Sequence, residues 1–356
     1  MSVAALRAAV SWLTTPLVPD AYLDVFDPLR SGSALRARVE AVRPEAAGAA
    51  TLLLRPGRGW TGHRAGQYVA LGVEVDGVRT WRTYSITSPP GATPIAVTVK
   101  AVPGGSVSQR LVHGTRPGEI LQLGPAAGDF VLPAPDPGPV LFVTAGSGIT
   151  PVVAMLRTLA ARAARIDAVL VHSAPSAEEV IFGPELRKLA ARVPGFRLHE
   201  HHTRSRPDAR RLTCADLTVA CPDWADRRAY ACGPEGLLGE LERYWRDAGR
   251  ADRLLTERFR LAAPTALGVP PSAGHVRFAR SRTAAAADGA TPLLEVGERL
   301  GVTMPSGCRQ GICHGCLAVL RSGRVRDLRD GREHGEPGDL VQTCVSAAAG
   351  PIELDL

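Results

Sequence analysis

The sequence predicts a multidomain chain: an antiparallel β-barrel, then an α/β domain on a parallel sheet, then a small cysteine-bearing domain. Three observations carry this. Short alternating or β-rich runs punctuated by Gly and Pro recur between residues 35 and 132, the pattern of antiparallel strands. From Val140 the rhythm changes to apolar strands alternating with helical stretches, as in βαβ units. Four of the seven cysteines crowd into the last stretch of a 356-residue chain, which is too long for one ordinary core.

In chain order, residues 1–34 carry no strand pattern and are expected to be a helical or irregular extension. Their longest apolar stretch, Val3 to Val18, is broken by Arg7, Ser11 and Pro16, so it reads neither as a spanning helix nor as a signal peptide, and a cytoplasmic location is expected. The barrel is expected over 35–135, with strands at 35–42, 51–54, 67–75, 78–86 and 95–101. The stiff run PAPDPGP, 133–139, marks its end. The α/β domain is expected over 136–262, with strands at 140–144, 167–172, 196–201 and 228–232. Helices are expected at 151–165, 184–192 and 234–248. A linker rich in Ala, Pro and Gly, 263–273, leads to the third domain, 274–356.

Composition narrows the function. The chain is 45% hydrophobic and 5% aromatic, which suits a globular protein. Its net charge of +7 is carried by arginine, Lys100 and Lys188 being the only lysines. Residues 267–356 hold ten Arg against ten Asp and Glu, so no basic cluster marks a nucleic-acid footprint there. An odd cysteine count without an export signal argues against a disulfide framework and for metal or catalytic roles.

Spacing decides which. Cys308, Cys313 and Cys316 stand as C-x4-C-x2-C, and Cys344 follows after 27 residues, the plant-type [2Fe-2S] arrangement. Zinc ligands more often come as two separated pairs. Gly307, Gly311 and Gly315 suit a loop whose amides approach the cluster sulfurs. From Pro305 to Gly323 the run PSGCRQGICHGCLAVLRSG resembles plant-type ferredoxins, which implies an α+β β-grasp fold for 274–356. Cys214 and Cys221 read as ordinary core cysteines. His201-His202 would point to opposite faces of a strand, which argues against a shared metal.

Arg82-Thr83-Tyr84-Ser85 ends a barrel strand and resembles the flavin signature of the ferredoxin–NADP reductase superfamily. That resemblance implies an arginine on a flavin phosphate, a tyrosine along the flavin and a serine hydroxyl near its reactive nitrogen, roles that fit these residue types. The stretch Gly104-Gly105-Ser106-Val107-Ser108 follows Val99-Lys100 and opens a helix. By the same resemblance Gly105 and Ser108 contact an FAD pyrophosphate, with Val99, Lys100 and Val107 beside them. FAD is preferred, with an FMN-type relative as the alternative.

Thr144-Ala145-Gly146-Ser147-Gly148-Ile149-Thr150-Pro151 joins a strand to a helix and is built to hold a phosphate, with Thr150 expected as N-cap and Pro151 as the first helical residue. Its Gly-x-Gly-x-x-Pro form is the one seen in the resembled superfamily. Cys232-Gly233-Pro234 falls at a later strand tip, where ligands sit in open α/β sheets. The resemblance implies Cys232 beside the nicotinamide, with Glu257 and Phe259 over the flavin face. The second strand ends His172-Ser173-Ala174-Pro175 with no ribose-binding acid, which weakens NADH. Arg204 and Arg206 are candidates for a 2′-phosphate, so NADPH is preferred with NADH open, and Ser173 is placed at the nucleotide.

The order flavin barrel, nucleotide domain, ferredoxin resembles the one-chain reductases of multicomponent oxygenases. Catalytic roles fall to Ser85, Cys232 and Glu257, and the metal ligands are Cys308, Cys313, Cys316 and Cys344. The implied path runs from NAD(P)H through FAD and [2Fe-2S] to an external iron oxygenase, a desaturase or a cytochrome P450. The N-terminal extension and the stretch from Pro56 to Tyr68 resemble actinobacterial reductases serving membrane fatty-acyl desaturases, which allows docking at a membrane through the partner. A monomer without nucleic-acid partners is expected. The alternative is a stand-alone reductase of a small-molecule acceptor.

Overall fold

The computed structural model describes residues 27–30, 35–75, 78–133, 137–162, 166–205, 210–259, 274–307, 309, 311, 315–329 and 331–356. The extension expected over 1–34 lies almost wholly outside them. The chain divides into two compact units, one of Met1–Val73 with Tyr84–Arg258 and one of Glu74–Thr83 with Phe259–Leu356.

The chain begins with strands β1 (Arg36–Glu45), β2 (Ala49–Pro56), β3 (Tyr68–Val75), β4 (Val78–Ser85), β5 (Ile95–Lys100) and β6 (Ile120–Leu123), all in the first unit except the end of β3 and most of β4. They form one sheet in the order β4-β3-β6-β1-β2-β5, and a bridge between Ile86 and Val97 joins its two edges. This is the antiparallel barrel. β1 runs further than its sequence pattern suggests, because left-handed Ala47 and Gly48 turn the chain tightly enough for pairing to continue to Glu45 and Ala49. β6 escapes a pattern reading: four residues between Gly118 and Gly124 are too few to show a period. Alternation puts Val39, Leu52, Leu54, Leu71 and Val97 inside. A short helix α1 (Ser106–Gln109) follows β5.

Next come β7 (Val140–Ala145), β8 (Ala168–Ala174), β9 (Phe196–His202), β10 (Arg228–Cys232) and β11 (Leu254–Glu257), all parallel where paired, in the order β11-β10-β7-β8-β9. Helices α2 (Ile149–Arg162), α3 (Gly183–Arg192), α4 (Cys214–Ala220) and α5 (Glu235–Asp247) connect them. Both faces of the central strands are covered, so these strands are apolar without alternation. Phe142, Leu170 and Tyr230 pack with Val152 and Leu156 of α2 and Leu186 of α3. On the other face Leu141, Val143 and Val169 meet Leu217 of α4 and Leu238 and Trp245 of α5.

The first of these cores also takes in Ala49, Ala65, Phe130 and Leu132 from the barrel side. Phe130 stands edge-on to Tyr230 at 5.4 Å, and the Tyr230 hydroxyl donates to the carbonyl of Val131 (3.2 Å). Gly66 belongs here by necessity: its φ is +99°, and a Cβ would sit 2.0 Å from the carbonyl oxygen of Phe130.

The second unit contains β12 (Gly274–Phe278), β13 (Thr283–Ala287), α6 (Leu293–Arg299), β14 (Leu317–Ser322), β15 (Val325–Asp327), β16 (Glu333–His334), β17 (Leu340–Gln342), β18 (Ser346–Ala348) and β19 (Pro351–Leu354). Its main sheet runs β13-β12-β19-β14-β17, with β12 and β19 parallel at its centre. Leu293, Leu294 and Val296 of α6 pack with Phe278, Leu320 and Leu354, the mixed α+β arrangement of a β-grasp domain. A small sheet β16-β15-β18 completes it. Among the described residues no helix is long and apolar enough to cross a membrane.

Truncating the aromatic shared by barrel and parallel sheet tests that core. Phe130→Ala should cost roughly 3–5 kcal/mol in urea unfolding of the full chain. A loss below about 1 kcal/mol, the size of an ordinary surface change, would show that the two parts do not depend on this ring.

Candidate active site

The C-terminal tips of the parallel strands carry one row of polar residues. Pairing sets Glu257 beside Cys232, Cys232 beside Thr144, Thr144 beside His172, and His172 beside Glu200. Paired residues in a parallel sheet share a face, so the row lies along one side of the tips, where ligands bind in open α/β sheets.

Glu257 is put on that side by its neighbours. The Thr256 hydroxyl donates to Glu242 of α5 (2.9 Å), and Arg258 donates to both oxygens of Glu242 (2.8 Å each) and to Glu235. With those two side chains tied to the helix face, alternation turns Glu257 the other way. There its Oε2 is buried with no hydrogen-bond partner among the described residues, and burial pushes its carboxyl up to about 8. At neutral pH it therefore holds its proton. Cys232 is fully buried, and its thiol is pushed well above the ordinary range by burial first and the Glu257 charge second.

The loop after β7 is shaped by close approach. Gly146 has a φ of +53° and faces open space, whereas a Cβ on Gly148 would lie 2.0 Å from the carbonyl oxygen of Cys232. Loop and strand tip thus touch through backbone alone, which leaves room above Gly146 for a dinucleotide. The expected capping differs. A 3-10 turn over Gly146–Gly148 runs into α2 at Ile149, so Thr150 already lies inside the helix. Its hydroxyl donates back to the Ser147 carbonyl (2.9 Å) instead of receiving an amide, and Pro151 is the third helical residue. The Thr144 hydroxyl shares a 2.7 Å hydrogen bond with Nδ1 of His172, and both residues are fully buried. Ser173 and Gly233 line the same tips, Gly233 against Ala145 and Leu237, and Pro234 caps α5.

His172 has no counterpart in the sequence reading. Burial, with a smaller push from His202, holds its imidazole down at about 4, and its Nε2 has no partner among the described residues. Nothing in the local pattern singles out a buried histidine in an apolar strand. His201 and His202 go separate ways, to the Arg210 carbonyl and to Glu200. Cys214 and Cys221 are thiols pushed up to about 11 by burial, unsuited to nucleophilic or ligand chemistry.

On the barrel, β4 delivers Tyr84 and Ser85. Ser85 is 3% exposed and its Oγ has no partner among the described residues, a buried hydroxyl awaiting an acceptor or donor. Arg82 and Thr83 fall in the second unit, where Arg82 donates to the carbonyl of Trp81 (2.8 Å) and the hydroxyl of Ser306 (3.2 Å). Val99 is buried and Lys100 half-buried at the end of β5. Gly105 must lack a side chain because a Cβ would stand 2.7 Å from Ser108 Oγ. That hydroxyl donates to the Gly105 carbonyl (3.0 Å) and accepts from the Val102 amide (3.1 Å), so Ser108 folds the turn around buried Val107. Phe259 is 44% exposed in the second unit.

Cys308 and Cys313 lie outside the described residues. Cys316 and Cys344 are buried, unlinked by a disulfide, and bring their sulfurs to 3.2 Å. Thr343 ties the two segments by donating its amide (3.2 Å) and hydroxyl (2.9 Å) to the Cys316 carbonyl. Arg329 and Gln342 both donate to the carbonyl of left-handed Gly311. Two converging buried thiols fit a thiolate-bound cluster, and the orphaned Ser85 and Glu257 atoms with the open Gly146 cradle fit flavin and nicotinamide.

A barrel, a dinucleotide-type sheet and a cluster-binding β-grasp domain in one chain make a flavin-dependent electron-transfer oxidoreductase. Comparison with known proteins agrees. Family models for an oxidoreductase FAD-binding domain, an oxidoreductase NAD-binding domain and a 2Fe-2S iron-sulfur cluster binding domain match residues 54–131, 142–242 and 278–349. An NADPH oxidoreductase of Mycobacterium tuberculosis is 48% identical over 99% of this chain and 92% of its own length. A glycine betaine monooxygenase reductase subunit of Pseudomonas aeruginosa is 28% identical over 82% of this chain and 87% of its own. The solved structure of phthalate dioxygenase reductase shares the fold, with a TM-score of 0.61 and 23% identity over 91% of this chain and 98% of that one. The chain belongs to the ferredoxin–NADP reductase family, in the form that carries a C-terminal [2Fe-2S] ferredoxin domain.

Glu257 makes a pH prediction. Its folded value of about 8 lies above the ordinary 4.5, so the folded state binds the extra proton between those values, and the stabilisation present below pH 4.5 is lost as pH rises to about 8. Glu257→Gln should remove that downward slope in thermal melts across pH 5–8. An unchanged slope would place its origin elsewhere.

Proposed function

We propose that the chain delivers electrons from NADPH to an external iron oxygenase or desaturase, leaving through its C-terminal cluster. Bound FAD converts the two-electron hydride into the single electrons that the [2Fe-2S] centre carries. The chain's own residues bind and orient. Tyr84 would pack along the flavin, the Ser85 hydroxyl, without a partner among the described residues, would meet its ring, and the protonated Glu257 carboxyl would supply a proton there. Cys232 shields the nicotinamide position from water, the Gly146–Gly148 loop takes the pyrophosphate, and Cys308, Cys313, Cys316 and Cys344 hold the irons. The observation that carries the reading is the approach of the Cys316 and Cys344 sulfurs in a domain that a reductase of small molecules has no use for.

Several features support the finer points. The relatives described as reductase subunits of oxygenase systems align over most of the chain, and the resemblance of residues 56–68 to reductases of membrane fatty-acyl desaturases favours a desaturase as acceptor. NADPH is favoured because no acid closes β8, while Thr203 and Arg204 donate their amides to the carbonyls of Ala174 and Pro175 (2.9 Å each), bringing the exposed Arg204 to the lip of β8. Arg206 lies outside the described residues.

Cys308→Ser should abolish reduction of a one-electron protein acceptor and spare ferricyanide reduction through the flavin. Equal loss of both would contradict an exit through the cluster. Arg204→Ala should raise the KM for NADPH roughly tenfold to a hundredfold, the worth of one charge-assisted contact, and leave that for NADH unchanged. Equal effects on both nucleotides would remove Arg204 from 2′-phosphate recognition.

A further inference from the structure

Arg157 lies about two turns along α2 from the nucleotide loop, on the side that meets the barrel. Its guanidinium makes three different contacts. Nε and Nη2 grip the two carboxylate oxygens of Glu185 in α3 at 2.7 and 2.6 Å, and Nη1 donates to the carbonyl of Thr87 at 2.5 Å. Its Cζ sits 5.0 Å from the centroid of the Phe182 ring. Phe182 holds a left-handed backbone, φ +62°, costly for a bulky side chain, and the ring it presents is the one beneath the guanidinium.

The barrel end of this clamp is a fixed point. Thr87 follows Ser85 by two residues and is fully buried. Its amide donates to the Ala96 carbonyl (2.8 Å), and its hydroxyl bonds to that of Thr98 (3.3 Å), which meets the Thr51 hydroxyl (2.8 Å). Thr51 in turn donates to Glu45 (3.0 Å). The chain of buried hydroxyls ties the strand that ends in Ser85 to β5, β2 and β1. At the other end, Arg157 shares a helix with the residues that follow Gly148.

We propose that Arg157 is a positioning residue for hydride delivery: by joining α2 and α3 to the Thr87 carbonyl it sets the nucleotide loop at a fixed distance from Ser85. It touches neither cofactor nor substrate. Arginine suits the task because one planar fork grips a carboxylate bidentately while its remaining nitrogen serves a carbonyl, a fixed geometry that a lysine ammonium does not reproduce. The proposal rests on the assignment of Ser85 to the flavin.

The test is rapid-mixing reduction of the FAD-loaded full chain by NADPH, read together with the Kd for NADP+, FAD content and Tm. Misplacement of reacting groups by an ångström costs up to about a hundredfold in rate, so Arg157→Ala should lower the limiting rate of flavin reduction by about tenfold or more. The Kd for NADP+ should stay within about twofold. Arg157→Lys should recover only part of the rate, and Glu185→Gln, which keeps the contact to Thr87, should lose less than Arg157→Ala. An unchanged limiting rate in Arg157→Ala overturns the proposal, and so does a rate that falls only in step with NADP+ affinity, FAD content and Tm. If Arg157→Ala does not fold, Arg157→Lys and Glu185→Gln carry the same two readings. Ser85→Ala separates the failures: a slow Ser85→Ala with a normal Arg157→Ala sinks the clamp alone, while normal rates in both sink the flavin assignment beneath it.

Discussion

Tyr230 lies where barrel and parallel sheet become one body. Its ring is fully buried, set edge-on to Phe130 and tilted against Phe142, and its hydroxyl reaches the Val131 carbonyl. Aromatic pairs of this kind add about 0.5–1.5 kcal/mol beyond the area they bury, and a buried hydroxyl must find a partner or cost more than that. This shared core joins the barrel side to the parallel sheet. A cofactor held by the barrel and one held by the sheet can exchange a hydride only if the two supports do not drift.

Two of the titratable side chains at the strand tips are held neutral. Glu257 keeps its proton at neutral pH because burial opposes ionisation, and His172 stays neutral for the same reason with opposite sign of charge. Glu200, at the far end of the row, is the charged member and is paired with Arg187 (2.9 Å). Further charged pairs are Arg258 with Glu242 and Glu235, and Arg157 with Glu185.

The parts legible in the sequence were those with a covalent or local signature. Iron ligation demands cysteines at set intervals, so the presence of a [2Fe-2S] domain was legible from their spacing, and Gly146 and Gly148 announced a turn at a strand end. Long apolar strands such as Val140–Ala145 showed their burial directly. What stayed hidden depends on approach through space. Arg157 and Thr87 are 70 residues apart, and neither has a local pattern that points to the other. The Thr144–His172 pair joins two strands whose register no single segment reveals. Thr150 misled because its hydroxyl serves the preceding carbonyl, and the helix begins ahead of it through a 3-10 turn that glycines make cheap. β6 was lost to brevity.

The sealed thiol of Cys232 has a consequence for durability. Reduced flavoproteins leak electrons to dioxygen and so work amid the peroxide they release. Peroxide attacks thiolates in proportion to their exposure and their readiness to shed a proton. Cys232 offers neither, being fully buried and strongly protonated. Sulfur at that strand tip provides bulk and polarisability without offering an oxidant a thiolate to attack.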